Sequence, residues 1–132
     1  MRAQYHLRNS DRGLLAWDVR RLIALTSDLT AFDLPLNEIQ ELDECFWFAR
    51  EGDTPTCRKI ADHAKLIAGT DLSYPIIVDP AGRVMDGMHR VCKAVMENRT
   101  TVRAVRLPVL PEPDFVGVEA KDLPYLDGIN SP

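Results

Sequence analysis

The helices and strands predicted along the sequence place the chain in the α+β class. Residues 17–28, 55–68 and 88–97 carry apolar side chains at spacings of three and four, which predicts amphipathic helices. Residues 75–79 contain an Ile-Ile-Val run and residues 101–107 alternate apolar and polar side chains, so both segments are predicted to be strands. We therefore expect a small mixed β-sheet flanked by helices.

The amino-terminal part of the sequence divides into an arm, a helix and a strand. Residues 1–12 are polar and show no periodic pattern, which predicts a loose arm. The helix over 17–28 is followed by a strand over 31–36, in which alternate side chains are apolar. Residues 37–44 are rich in carboxylates and predict a surface turn or a short helix.

The central helix has a clear start signal. Thr54 is a favoured N-cap residue and Pro55 a favoured first helical residue, so the helix is predicted over residues 55–68. We expect it to bury one stripe of side chains, formed by Cys57, Ile60, Ala64 and Ile67.

The carboxy-terminal half begins with a predicted hairpin. Its strands are residues 75–79 and 83–85, joined by a Pro-Ala-Gly turn. Beyond the last predicted strand the chain is rich in proline, which predicts an extended tail over residues 111–132. One domain is therefore predicted over residues 13–110, between the arm and the tail.

Composition narrows the classes of partner. The chain has 132 residues, 45% of them hydrophobic and 27% charged, with a formal net charge of -4. Bulk charge therefore gives no attraction to a nucleic-acid backbone, and DNA is an unlikely partner. No apolar run is long enough to span a membrane. The three cysteines form no CxxC pair, so we expect a cytoplasmic protein with reduced thiols.

The segment Asp86 to Arg90 predicts a phosphate-binding turn. It lies between a predicted strand and a predicted helix, and Gly87 permits a left-handed backbone there. The amides of Met88, His89 and Arg90 would open the helix, where orphan N–H groups and the helix dipole favour an anion. Arg90 adds a guanidinium that can grip phosphate oxygens, and Asp86 is a candidate ligand for Mg²⁺.

A plainer interpretation of the same segment stands beside this one. Asp-Gly is a common turn sequence, and Arg90 would then pair only with a nearby carboxylate. Three aromatic residues, Phe46, Trp47 and Phe48, have a similar ambiguity, because they can stack a nucleotide base or pack in the core.

Residues 74–107 resemble the core of the ParB/sulfiredoxin superfamily. The similar features are a strand, a glycine-led turn ending in Arg90, a helix and a closing Val-Arg-Ala-Val strand. The resemblance implies the ParB/sulfiredoxin fold. Sulfiredoxins use a cysteine in this turn, where Met88 stands here, so sulfiredoxin chemistry is not expected. Chromosome-partitioning members carry a helix-turn-helix domain after this core, and the proline-rich residues after position 107 are not expected to form one.

The turn is most similar to the Asp-Gly-His-His-Arg turn of the free-serine kinases in this superfamily. Asp86, Gly87, His89 and Arg90 match that turn, and Met88 replaces its first histidine. Those kinases place an acidic base shortly after the first strand, which makes three residues candidates here: Glu41, Asp43 and Glu44. We favour Glu44, because the neighbouring aromatic cluster would desolvate it and raise its pKa.

The resemblance and the turn together predict a nucleotide-binding protein. The expected ligand is ATP or ADP with Mg²⁺, and CTP is the alternative nucleotide. A phosphotransferase or a nucleotide hydrolase acting on an unknown small-molecule or protein acceptor is the preferred function. The alternatives are a non-catalytic nucleotide-sensing or protein-binding module and a DNA-partitioning accessory protein. The oligomeric state is not predicted.

Overall fold

The computed structural model describes residues 4–49 and 52–125. Within them the chain is mixed α+β, as predicted, with two small sheets and three α-helices. The strands are β1 (Tyr5–Arg8), β2 (Leu15–Asp18), β3 (Phe32–Pro35), β4 (Ile76–Val78), β5 (Val84–Asp86), β6 (Thr101–Arg106) and β7 (Phe115–Val116). The helices are α1 (Val19–Thr26), α2 (Cys57–Gly69) and α3 (Met88–Met96).

The chain forms two compact units. One unit combines residues 1–28 with residues 109–132, and the other is residues 29–108. The predicted single domain over residues 13–110 therefore does not match the observed division, because residues 13–28 belong with the two termini. Among the described residues, no helix is long and apolar enough to cross a membrane.

The first unit contains an antiparallel sheet in the order β1-β2-β7. Trp17 is its largest buried side chain, and its indole N–H donates to the carbonyl of Pro111 at 2.7 Å. The prediction of a loose arm over residues 1–12 is wrong for Tyr5–Arg8, and the predicted tail contributes β7. These segments are ordered by backbone pairing with β2, which a side-chain pattern does not reveal.

The second unit contains a mixed sheet in the order β3-β6-β4-β5, in which only β4 and β6 run parallel. Its core comes from the sheet, from α3 and from the turns after β3. The fully enclosed members include Ile76, Val78, Val84, Val91 and Ala104. The acidic segment forms two 3-10 turns, Leu36–Glu38 and Gln40–Asp43, as predicted for a short helical turn.

Helix α2 differs from its prediction in two ways. Thr56, not Thr54, is the N-cap, because its hydroxyl accepts the amide N–H of Lys59 at 3.2 Å. None of its residues is buried, so the predicted inward stripe is wrong: Ile60 is 54% exposed. Apolar periodicity predicts that the segment is a helix, but it does not determine whether other elements bury the apolar side of that helix.

Candidate functional site

The turn from Asp86 into α3 has a backbone that only glycine fits. Gly87 is the N-cap of α3, with φ of 103° in the left-handed region. A Cβ atom there would lie 2.7 Å from Cγ2 of Ile76 and 2.8 Å from Nη2 of Arg90. Both the conformation and the close approach of Ile76 therefore exclude other residues, as the sequence predicted for this position.

Fewer amides at the start of α3 are open donors than the sequence predicted. The Arg90 N–H donates to the carbonyl of Gly87 at 2.9 Å, so it is not an open donor, and that part of the prediction is wrong. Within the described residues the amides of Met88 and His89 have no acceptor. The Met88 side chain is buried in the core, so this residue can offer a ligand only its backbone N–H.

The Arg90 side chain lies beside the turn and is partly engaged. Its Nη2 donates to Oδ2 of Asp86 at 3.1 Å and lies 3.3 Å from the carbonyl oxygen of Pro75. Its Nε is buried and has no acceptor within the described residues. The ion pair that the plainer interpretation predicted is therefore present, and within the described residues the N–H groups of Nε and Nη1 have no acceptor.

Asp86 fits the predicted metal role only in part. Mg²⁺ is usually held by one or two carboxylates together with substrate phosphates and water. Among the described residues no cluster of three metal-ligating side chains exists, and Oδ2 of Asp86 already accepts from Arg90. Asp86 can therefore contribute one ligand to an ion that a phosphate also holds, but it cannot build a site by itself.

His89 belongs to an aromatic cluster that the sequence did not predict. Its Nε2 is hydrogen-bonded to Nδ1 of His63 on α2 at 2.9 Å. The indole of Trp47 stacks on both imidazoles, with centroid distances of 4.2 Å to His63 and 4.5 Å to His89. Phe48 meets His63 edge-on at 5.5 Å. We call Trp47, His63 and His89 the ring cluster.

Burial sets the charge state of the ring cluster. It lowers the pKa of His89 to about 4, and the neighbouring His63 and the positive charge of Arg90 add to that effect. Burial also lowers the pKa of His63, although Asp62 opposes the shift. Both rings are therefore neutral at pH 7, so one donates and the other accepts in the shared hydrogen bond.

His63 could have been identified from the helical pattern. It lies three residues after Ile60 and four before Ile67, in the stripe that the sequence predicted to face inward. The stripe is not buried as a whole, but the partly buried imidazole of His63 on that side of the helix is expected to find a partner. The sequence does not indicate that the partner is His89, because this contact joins two helices that are separated by a hairpin.

The three predicted catalytic carboxylates lie in the acidic segment after β3. Glu41 is only 3% exposed, and its Oε2 accepts the Val84 N–H at 2.8 Å and pairs with Nε of Arg83 at 3.2 Å. Oε1 of Glu41 is buried without a donor in the described part of the chain. Asp43 is exposed. Glu41 therefore acts first as a structural acceptor at the start of β5.

Glu44 does not have the environment predicted for a general base. It is exposed, and the two terminal nitrogens of Arg83 donate to its carboxylate at 3.1 and 2.6 Å. This hydrogen bonding lowers the pKa of Glu44. The predicted rise is wrong, because the hydrogen bonds from Arg83 lower the pKa of this exposed carboxyl by more than desolvation raises it.

The acidic segment and the phosphate turn flank opposite ends of one strand. Glu41 is bonded to Val84, the first residue of β5, whereas Gly87 directly follows its last residue. Three residues of extended chain span roughly 10 Å, which separates the backbone anchors of the two groups by that distance.

Comparison with family models, curated proteins and solved structures finds no match to this chain.

Proposed function

We propose that residues 29–108 form a nucleotide-binding domain of the ParB/sulfiredoxin kind, with the phosphates at the amino-terminal end of α3. The observation that carries the proposal is the left-handed Gly87 N-cap, which has no side chain to cap the helix, so the Met88 and His89 amides have no acceptor among the described residues. Such amides, at the positive end of a helix dipole, favour an anion. The guanidinium of Arg90 supports the same location with a formal positive charge, because its Nη1 makes no hydrogen bond within the described residues.

The proposed ligand is a nucleoside di- or triphosphate of the adenine type with Mg²⁺, and CTP remains an alternative. Bound Mg²⁺ would neutralise phosphate charge, and Asp86 is the residue that would hold it. His89 is neutral at pH 7, so it approaches the phosphates as a hydrogen-bonding group and not as a cation. The net charge of -4 makes duplex DNA the weaker choice of partner.

Phosphoryl transfer or nucleotide hydrolysis is the further part of the proposal. A general base must come within hydrogen-bond reach of the attacking oxygen, directly or through one water. Arg83 forms ion pairs with both Glu41 and Glu44. Of the three candidate carboxylates, Asp43 therefore has the fewest hydrogen bonds and ion pairs within the described residues. This arrangement favours the second candidate function, a nucleotide-sensing module without turnover, over a kinase that uses Glu44.

Calorimetric titration with ATP, ADP and CTP, each with Mg²⁺, tests binding and the choice of base. We expect at least one nucleotide to bind saturably. Inorganic tripolyphosphate should compete with it for the same site, since the proposed contacts are to phosphate. Absence of binding to all three nucleotides and to tripolyphosphate would exclude the proposal. Release of phosphate under excess nucleotide then separates an enzyme from a sensor.

A further inference from the structure

Helix α2 lies on the second unit without burying a side chain. None of its residues is buried, and Ile60 and Leu66 are 54% and 55% exposed. Only His63 and Ile67 are partly covered. Most helices in proteins are stabilised by an apolar stripe that packs in the core. Among the described residues, α2 contributes no side chain to the core of this unit.

The middle of α2 is attached to the second unit through one side chain. His63 forms the 2.9 Å hydrogen bond to His89 and stacks on the indole of Trp47. Trp47 in turn packs against the core, so it does not depend on α2 for its position. The ring cluster is therefore the place where α2 meets the rest of the unit.

The carboxy-terminal end of α2 is attached through a lysine of α3. Nζ of Lys93 donates to the carbonyl oxygen of Ala68 at 3.2 Å and to that of Thr70 at 2.6 Å. The last carbonyl groups of a helix have no donor within the helix, and a lysine side chain is a common partner for them. This contact fixes the end of α2 through backbone atoms and buries no apolar surface of the helix.

The rest of the second unit is complete without α2. Its sheet is formed by β3, β4, β5 and β6, and its core by side chains of that sheet, of α3 and of the turns after β3. Residues 52–56 and 71–75, on either side of α2, are mostly exposed and contain no helix or strand. Movement of α2 would therefore break no strand pairing. Elements with few buried apolar contacts open at a lower free energy than the whole domain.

We propose that α2 is a latch, which detaches from the second unit as one piece while the sheet and α3 stay folded. The contacts at His63 and at Lys93 would break together, because both hold the same short helix. An isolated helix of this length is only marginally stable in water, so α2 would also lose its helical structure. This opening requires no bound nucleotide and stands apart from the proposed function.

Detachment of α2 changes the surroundings of the candidate site. It removes His63 from His89, so the imidazole of His89 loses its hydrogen-bond partner and gains contact with water. His89 also provides one of the two open amides at the start of α3. The latch therefore determines whether a free imidazole accompanies these amides.

Native-state hydrogen exchange, followed residue by residue by NMR, measures the opening. The hydrogen-bonded amides of α2 should share one protection factor, roughly 100-fold lower than the protection factors in α3 and β6. His63→Ala and Lys93→Met each remove a contact of the latch. Each should lower the protection of α2 by about 5-fold more, which corresponds to the loss of one hydrogen bond, and leave β6 unchanged.

Asp62→Ala is the matched control for His63→Ala. Asp62 is an exposed neighbour on the same helix, and aspartate and histidine have similar helix propensities, so both variants gain the same propensity from alanine. The control should not lower the protection of α2. The difference between the two variants therefore reports the contacts of His63 alone.

Four results would overturn the latch. If α2 and β6 have equal protection, α2 opens only when the whole unit unfolds. Protection that rises gradually from the ends of α2, with no shared value, means fraying, and no protection at all means that α2 is not docked. Unchanged protection of α2 in both His63→Ala and Lys93→Met would show that these contacts do not hold it. If either variant fails to fold, the sheet and α3 depend on α2, and the proposal is wrong.

Discussion

The two ends of β5 differ in how far their polar groups are engaged in hydrogen bonds and ion pairs. At its start, Arg83 is shared between Glu41 and Glu44, and Glu41 also accepts the Val84 N–H. Past its end, the Met88 and His89 amides and Nη1 of Arg90 have no acceptor within the described residues. Each end also has one buried side-chain atom without a partner among the described residues, Oε1 of Glu41 and Nε of Arg90, so the open amides are what distinguishes the second end. The first end is therefore structural, and the second is the candidate site.

The largest expected effect is on stability, at the start of β5. Glu41→Ala should lower the free energy of unfolding by about 3 kcal/mol, because it leaves the Val84 N–H and Arg83 without their buried partner. Urea unfolding followed by circular dichroism measures the change. Asp43→Ala, an exposed neighbour, should stay within about 0.5 kcal/mol of the unmodified protein. A stable Glu41→Ala variant that binds nucleotide but loses turnover would reverse the comparison and make the acidic segment catalytic.

The next effect is on binding, past the end of β5. Arg90→Ala should weaken the binding of ADP with Mg²⁺ by about 1.5–3 kcal/mol, the range for a hydrogen bond to a charged group. Calorimetry measures it, and Arg99→Ala is the matched control, since Arg99 is an exposed arginine paired with Glu97. Unchanged affinity with a large loss of thermal stability would show that Arg90 serves only its ion pair with Asp86.

The sequence predicted the second unit better than the first. The hairpin, α3 and the closing strand follow from local patterns: a β-branched run, a Gly87 turn and alternation in β6. In the sheet of the first unit, β2 pairs with Phe115–Val116, which lie roughly a hundred residues later in the chain. No local sequence pattern encodes a pairing between segments so far apart. Side-chain periodicity is informative only where neighbours in sequence are also neighbours in the core.

The candidate site was predictable to the extent that it depends on one turn. Gly87 and the open amides follow from a strand, a glycine and a helix in that order. The ring cluster and the sharing of Arg83 by Glu41 and Glu44 depend on contacts between distant segments. The sequence suggested that aromatic neighbours would control Glu44, but a single arginine 39 residues away determines the direction of its pKa.

A smaller effect concerns pH and the ring cluster. The pKa of His89 is lowered to about 4 in the folded protein, against roughly 6.5 when unfolded. The unfolded chain therefore takes up the proton first, so stability is complete above about pH 6.5 and falls as the pH drops towards 4. Because the ring is only partly buried and solvent screens its charge, the loss should be only about 1–2 kcal/mol.

Urea midpoints between pH 7.5 and 4.5 measure this dependence. His89→Gln should remove part of the slope, so its stability difference from the unmodified protein narrows as the pH falls. Met96→Ala changes an exposed, non-titrating residue of the same helix and should keep the slope of the unmodified protein. A constant difference between His89→Gln and the unmodified protein at every pH would mean that His89 is not held neutral.

The smallest effect is expected at Glu44, and it tests whether the start of β5 contributes to chemistry. Hydrogen bonds from Arg83 lower the pKa of Glu44, so its carboxylate is ionised at pH 7 but has little tendency to take a proton from an attacking hydroxyl. A glutamine at position 44 keeps one oxygen that can accept a hydrogen bond from a terminal nitrogen of Arg83. If the protein releases phosphate from ATP, Glu44→Gln should therefore leave both kcat and nucleotide affinity unchanged. Asp43→Asn is the informative companion, because no hydrogen bond or ion pair engages Asp43 among the described residues. A fall in kcat for Glu44→Gln without a change in affinity would show that Arg83 releases this carboxylate during turnover, and the two ends of β5 would then form a single active site.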